Sequence, residues 1–384
     1  MISFPIYLDN HSTTRVDDEV IEAMLPYFNK IYGNPSSTQH KVGWEAEAVV
    51  ESSRNKIAEI LKCEPDEIIF TSGATESNNL AILGIALAYS SRGKHIITTA
   101  IEHPSVLEPV KFLAKNGFET TIINPEPNGI VSIDKIFSKI RNDTILVTVM
   151  TANNEIGTLQ PVKEIAEHCV KENIFFHTDA AQAFGKIQLN LSDLKADLVS
   201  LSGHKTHGPK GVGILFMRKK NPRIRLHKIL YGGGQEKGLR SGTLNVPLIV
   251  GIRKCFEIVC RDFEKNYSFI KSLRDHLLNG FLTFIDGTHV NGSMELRLIN
   301  NLNVRFEEIN SDMLYKRIKD IAFSTSSACA SGKGEESSVL AAIGLSEEQI
   351  KSSVRFGLSK YNSFEEIDYV IQKFSEVIKD LRKK

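Results

Sequence analysis

The sequence predicts a mostly parallel α/β sheet with helices on both faces, joined to a smaller α+β unit. Three observations carry this. First, seven short apolar runs lie between about residues 66 and 218: EIIFTS (67–72), HIITTA (95–100), TTIINP (120–125), TILVTVM (144–150), IFFHTDA (174–180), DLVSLSG (197–203) and GVGILFM (211–217). Strands buried on both faces read as near-continuous apolar runs. Second, helical stretches such as VKEIAEHCVKEN (162–173) separate them, and strand–helix alternation implies a parallel sheet. Third, the pattern changes after about residue 250. A helical stretch (248–280) leads to strand-like RLINNLNVRF (297–306), a helix SDMLYKRIKD (311–320), a strand SVRFGLS (353–359) and a closing helix. Ser363 and Glu366 form a capping-box pattern at the start of that last helix. A length of 384 residues suits two units. The expected division is 16–250 for the large one, with 1–15 and 251–384 in the small one.

Composition removes several function classes. Lys plus Arg total 47 against 46 Asp plus Glu, so no broad field favours nucleic acid. No apolar run approaches the roughly 20 residues of a membrane span. The start, MISFPIYLDNHSTT, lacks the features of a signal peptide. The five cysteines, Cys63, Cys169, Cys255, Cys260 and Cys329, are sparse and odd in number. They argue against a disulfide framework and for a reducing cytoplasm. No C-x-x-C occurs and Cys255 and Cys260 do not share a helix face, so no metal site is expected.

In open α/β sheets ligands bind at the C-terminal ends of strands, and several strands here end in polar groups. TSGATESNN (71–79) opens a helix after a strand, which suits either an anion or an ordinary cap. Asp179 ends IFFHTD; its carboxylate needs a partner, either a protonated ring nitrogen or a structural cation. Lys205 follows an apolar strand within SLSGHKTHGPKGVG (200–213), beside Ser202 and His204. A partly desolvated lysine is a candidate for carbonyl chemistry; the bland reading is a surface lysine. Pro209 stands where a P-loop would have its lysine, so that motif is rejected. His103 ends another strand. Arg355, among apolar residues in VRFGLS, is either an ion-pair member or a carboxylate clamp. Cys329 lies in SSACASGKGEESS (326–338), a small-residue, glycine-containing stretch that reads as a mobile loop carrying a lone thiol.

The blocks SGATESNN, EHPSVL, NNEIG, HTDAAQAFGK, SGHKTHGPKGVG, GGGQEKGLRSGT and SSACASGKG occur in this order. Together they closely resemble the group I (NifS/IscS-type) cysteine desulfurases over about residues 5 to 375. The resemblance implies a fold type I pyridoxal 5'-phosphate (PLP) transferase with a seven-stranded sheet, acting as a homodimer. It makes Lys205 the lysine that carries PLP and His103 the residue stacked on its ring. Asp179 would face the ring nitrogen and Gln182 the ring hydroxyl. Thr75, Ser202 and His204 would bind the phosphate, with Thr243 reaching it from the other subunit. Asn154 and Arg355 would hold the carboxylate of L-cysteine. Cys329 would take the sulfur as a persulfide and pass it to an acceptor protein.

The acceptors implied are iron–sulfur assembly, tRNA thiolation or DNA phosphorothioation proteins. Longer members carry a C-terminal tail that helps dock the iron–sulfur scaffold; the end at DLRKK leaves room for another acceptor. A selenocysteine lyase or transaminase would share the cofactor site, and a non-catalytic scaffold for sulfur transfer is the rival from another class. Cytoplasmic location, no membrane and no direct nucleic-acid contact are expected.

Overall fold

The computed structural model describes residues 2–325 and 337–383. After a short strand β1 (Ile6–Tyr7) come β2 (Ile68–Thr71), β3 (His95–Thr99), β4 (Glu119–Ile123), β5 (Thr144–Thr148), β6 (Phe175–Asp179), β7 (Leu198–Ser202) and β8 (Gly213–Met217). The last seven form one sheet in the order β2-β8-β7-β6-β5-β3-β4; six lie within the apolar runs and β4 overlaps its run, starting one residue earlier at Glu119.

Neighbours from β4 to β7 pair in parallel. Strand β8 runs antiparallel to both β7 and β2. The cause is the link from β7 to β8: residues 203–212 hold one short 3-10 turn, Gly203–Lys205. Without a crossover helix the chain must reverse beside its own strand. That reversal places Lys205 in the turn.

Alternation along the strands sends neighbours to opposite faces. Ile96, Leu146, Phe175, Leu198 and Leu215 pack with Leu80, Ile82 and Ile85 of helix Ala74–Ala88. Ile97, Val147, Phe176, Val199 and Ile214 pack in the other layer with Val50, Ile57 and Ile165. Strand β4 departs from the expectation of burial on both faces, since Glu119 and Ile122 are exposed. It is an edge strand with a neighbour on one side only.

The C-terminal part adds β9 (Thr288–Val290), β10 (Asn301–Phe306), β11 (Ile321–Ala322), β12 (Ser324–Thr325) and β13 (Ser353–Gly357). Four of them form an antiparallel sheet, β12-β13-β10-β9, while β1 pairs in parallel with β11. Their core joins Leu302, Val304, Phe306 and Phe356 to Leu277, Phe281, Val370 and Phe374, and includes Ile6 and Leu8. The capping box of Ser363 and Glu366 is formed at helix Phe364–Arg382.

Three local expectations are corrected. The 248–280 stretch is two helices, Val246–Arg261 and Phe263–Phe284. They meet at Asp262, a poor interior residue whose carboxylate turns to Arg261 at 2.9 Å. Strand β10 begins only at Asn301, because Asn301 N–H bonds back to Leu298 O in a turn. The 311–320 helix stops at Arg317, with Ile318 extended.

A buried ion pair ties the 230–245 loop to the sheet. Arg54 grips Glu236 through two bonds of 2.7 and 3.0 Å, and Glu236 also accepts the Phe70 N–H of β2 at 2.8 Å. Glu236→Ala removes two charge-assisted bonds from the buried guanidinium and leaves it the Glu51 carboxylate at 3.1 Å and the Ile68 carbonyl at 2.7 Å. The expected loss is about 2–3 kcal/mol, measured as a lower denaturant midpoint.

Candidate active site

The polar groups gather where strands β2, β3, β5, β6 and β7 end. Lys205 Nζ donates to His11 O at 2.6 Å and to Ser12 O at 2.8 Å. Burial and then Arg355 push its amine down to about 8, against the pull of Asp179 and Asp9. The surface-lysine reading therefore does not describe it.

Asp179 closes β6. Its Oδ2 accepts from Asn78 at 2.7 Å and its Oδ1 from Ala181 N–H at 2.9 Å. Among the described residues it forms no ion pair, so the structural-cation reading has no partner there. His103 caps helix Pro104–Lys115. Its Nδ1 accepts the Ser105 N–H at 3.1 Å, which leaves the ring proton on Nε2. Burial lowers its pKa, with Asp179 opposing. Asn78 also donates to Ser105 Oγ at 2.8 Å. One amide thus links the Asp179 carboxylate to the cap that orients His103.

Gln182 Nε2 donates to His11 O at 3.0 Å. Ser202 Oγ is buried and has no hydrogen-bond partner among the described residues. His204 Nδ1 lies 3.2 Å from Thr13 Oγ1. Burial and Lys205 push the His204 imidazole down to about 4, so at neutral pH it acts by hydrogen bonding and not by charge. Thr75 is exposed in the first turn of helix Ala74–Ala88 and shares a concave surface with His103. Gly73, which precedes that helix at φ +153°, has open space where a Cβ would stand.

Arg355 is buried on β13. It bonds Asp9 Oδ1 (2.9 Å), Ser12 Oγ (3.0 Å), Ser324 Oγ (2.9 Å) and Asn154 O (3.1 Å). The ion pair with Asp9 is therefore present, and Arg355 and Asn154 are in contact. Thr243 lies exposed on the 230–245 loop and forms no hydrogen bond to this cluster among the described residues. Cys329 lies outside the described residues. No cluster of three metal-ligating side chains occurs among the described residues, and no described helix is long and apolar enough to cross a membrane.

Sequence reasoning missed the N-terminal contribution. Asp9, His11 and Ser12 reach Arg355, Gln182 and Lys205 across the fold. The polar run DNHSTT directly after an apolar strand was the available signal. Asn78 was also missed as the organiser of Asp179, although it sits in the SGATESNN block.

The aminotransferase class-V family model matches residues 6–370. A cysteine desulfurase IscS of Mannheimia succiniciproducens is 46% identical over 383 residues, covering 99% of this chain and 94% of that protein. A solved NifS-like protein superposes with TM-score 0.91 at 39% identity, covering 97% of this chain and 99% of its own. A structure described as SspA in complex with cysteine gives 0.82 at 36% identity, covering 93% and 100%. The chain belongs to the cysteine desulfurases of the class-V aminotransferase family. Membership implies PLP as cofactor.

Proposed function

We propose that this chain converts L-cysteine to L-alanine on PLP, taking the sulfur as a persulfide on Cys329 for delivery to an acceptor protein. The observation that carries the reading is Lys205: a half-buried amine held by the His11 and Ser12 carbonyls, with burial and Arg355 lowering its pKa to about 8.

The residues fit the cofactor. Lys205 supplies an amine of raised neutral fraction for the aldehyde. Asp179, held by two donors, suits a protonated ring nitrogen. Buried Ser202 Oγ, the open space at Gly73 and the free helix start behind Thr75 suit a phosphate. Gln182 would face the ring hydroxyl and His103, with its proton on Nε2, the ring and the proton-transfer path. When bound, PLP supplies an electron sink for the substrate carbon.

The chain does the rest. Arg355 and Asn154 orient the substrate carboxylate. Lys205 holds and returns protons at Nζ. The Cys329 thiolate attacks the substrate sulfur, the carbon–sulfur bond breaks, and its electron pair stays on carbon, which takes up a proton. Cys329 thiol plus L-cysteine gives Cys329 persulfide plus L-alanine, with no other oxidant or reductant. Thr243 would complete a phosphate site on a second copy of the chain. The sulfur acceptor is a protein; iron–sulfur assembly, tRNA thiolation and DNA phosphorothioation are the three destinations considered. Alanine release from L-cysteine with persulfide on Cys329 tests the reading. Release from selenocysteine only, or none with either substrate, overturns it.

The Lys205 value sets a pH dependence. At pH 7 about a tenth of such amines are neutral, against roughly one in a few thousand for an ordinary lysine. The amine reacts only when deprotonated. Uptake of PLP by cofactor-free protein is expected to quicken with rising pH and level off above a midpoint near 8, followed by visible absorbance. A midpoint above 10 would contradict the assignment.

A further inference from the structure

A buried polar chain reaches the cofactor side from the C-terminal sheet. Arg297 Nη1 donates to Asn301 Oδ1 at 2.8 Å. Asn301 Nδ2 lies 3.1 Å from His11 Nε2 and donates to Glu155 O at 3.1 Å. His11 Nδ1 lies 3.2 Å from Gln182 Oε1. Gln182 Nε2 donates to His11 O at 3.0 Å. All four side chains are buried.

The bonds fix every orientation. Arg297 can only donate, so Asn301 presents its oxygen to Arg297 and its N–H to His11. His11 Nε2 must then accept, which leaves the ring proton on Nδ1. That proton points at Gln182 Oε1. The second N–H of Gln182 stays free to donate to a group beside it.

Two glycines make room for the chain. A Cβ on Gly357 would come within 2.8 Å of the His11 ring, and one on Gly157 within 2.3 Å of the Asn301 amide carbon. The charged groups acting on His11 are Arg355, Lys186 and Lys205, all cationic. They and burial keep the imidazole neutral, so the arrangement persists across the physiological range.

We propose that His11 is a positioning residue for Gln182: its Nδ1–H locks the Gln182 amide with N–H, not C=O, toward the cofactor's ring hydroxyl. The proposal rests on the reading of Gln182 above. An N–H donated to that oxygen draws negative charge from the neighbouring nitrogen that joins PLP to Lys205, and so lowers its proton affinity. Without Nδ1–H only the bond from Gln182 Nε2 to the His11 carbonyl holds the amide in that orientation, and the effect weakens.

The test is a pH titration of the visible absorbance of PLP-loaded protein. Asparagine places an amide N–H where Nδ1 lies; glutamine does not. His11→Asn is expected to keep the wild-type midpoint. His11→Gln is expected to raise it by about half to one pH unit, the worth of one hydrogen bond. Gln182→Ala should raise it similarly, and His11→Gln should add nothing on that background. Equal shifts in both His11 variants, or a His11→Gln shift that persists with Gln182→Ala, overturn the proposal. A shift with Gln182→Ala and none with His11→Gln overturns it while sparing the reading of Gln182. No shift with Gln182→Ala overturns both. Nitrogen-15 NMR of wild-type protein gives an independent check should a variant not fold. A protonated Nδ1 and bare Nε2 are expected, and the opposite tautomer rejects the proposal.

Discussion

Lys205→Ala is expected to abolish the visible absorbance that PLP-loaded protein shows and to lower desulfuration of L-cysteine by roughly 10³-fold or more. The amine has no substitute. Lys186 is also buried and is pushed down to about 7, but its Nζ bonds the Lys205 backbone carbonyl, behind the side chain it would have to replace. The substitution removes one donor from His11 O, which keeps Gln182 Nε2 at 3.0 Å, and the donor from Ser12 O, on an exposed residue, at about 1 kcal/mol. It also removes a half-buried amine whose charge burial disfavours, which offsets part of that cost. The variant is therefore expected to fold, with a melting temperature within a few degrees of wild type. Folding with lost turnover separates chemistry from stability. A folded Lys205→Ala protein with normal turnover would remove Lys205 from the mechanism.

The legible part of this fold was the part governed by burial. Strands β2, β3 and β5 to β8 are covered on both faces, and their apolar runs are continuous. Strand β4 was found from the same signal, although edge position leaves it half open. Lys205, Asp179 and His103 were legible for a related reason. Asp179 is the last residue of β6, while Lys205 follows β7 by three residues and His103, expected to end a strand, follows β3 by four as a helix cap; all lie at or beyond the strand ends where α/β sheets place their ligands. His11 was not legible. Its two ring partners lie 171 and 290 residues away in sequence, and no local pattern encodes a contact at that separation. Asn78 escaped because its role depends on Asp179, 101 residues distant. Arg355 was read as either an ion-pair member or a carboxylate clamp. Its bond to Asp9 shows that the first is true, and the second is compatible with it.

Cys329→Ser is expected to stop persulfide formation and alanine release from L-cysteine, to below about a hundredth of wild type, while leaving the visible absorbance of bound PLP intact. The step needs a thiolate, and a serine hydroxyl at neutral pH offers neither the charge nor the sulfur. The other cysteines are poor substitutes. Burial pushes the thiols of Cys63, Cys169 and Cys255 up to about 12, and Cys255 is further engaged with Thr206 at 3.0 and 3.3 Å. Cys260 is exposed, yet its thiol is also raised by partial burial. None of the four is poised as a thiolate at neutral pH. The assigned PLP contacts of one chain, from Thr75 to Lys205, lie outside 326–336, so loading should survive. Mass spectrometry after incubation with L-cysteine is the direct measurement. A sulfur added to wild-type Cys329 and absent from the serine variant supports the assignment. Sulfur found on Cys63 or Cys260 in wild type, with undiminished alanine release from Cys329→Ser, would move the nucleophile elsewhere and remove Cys329 from the mechanism.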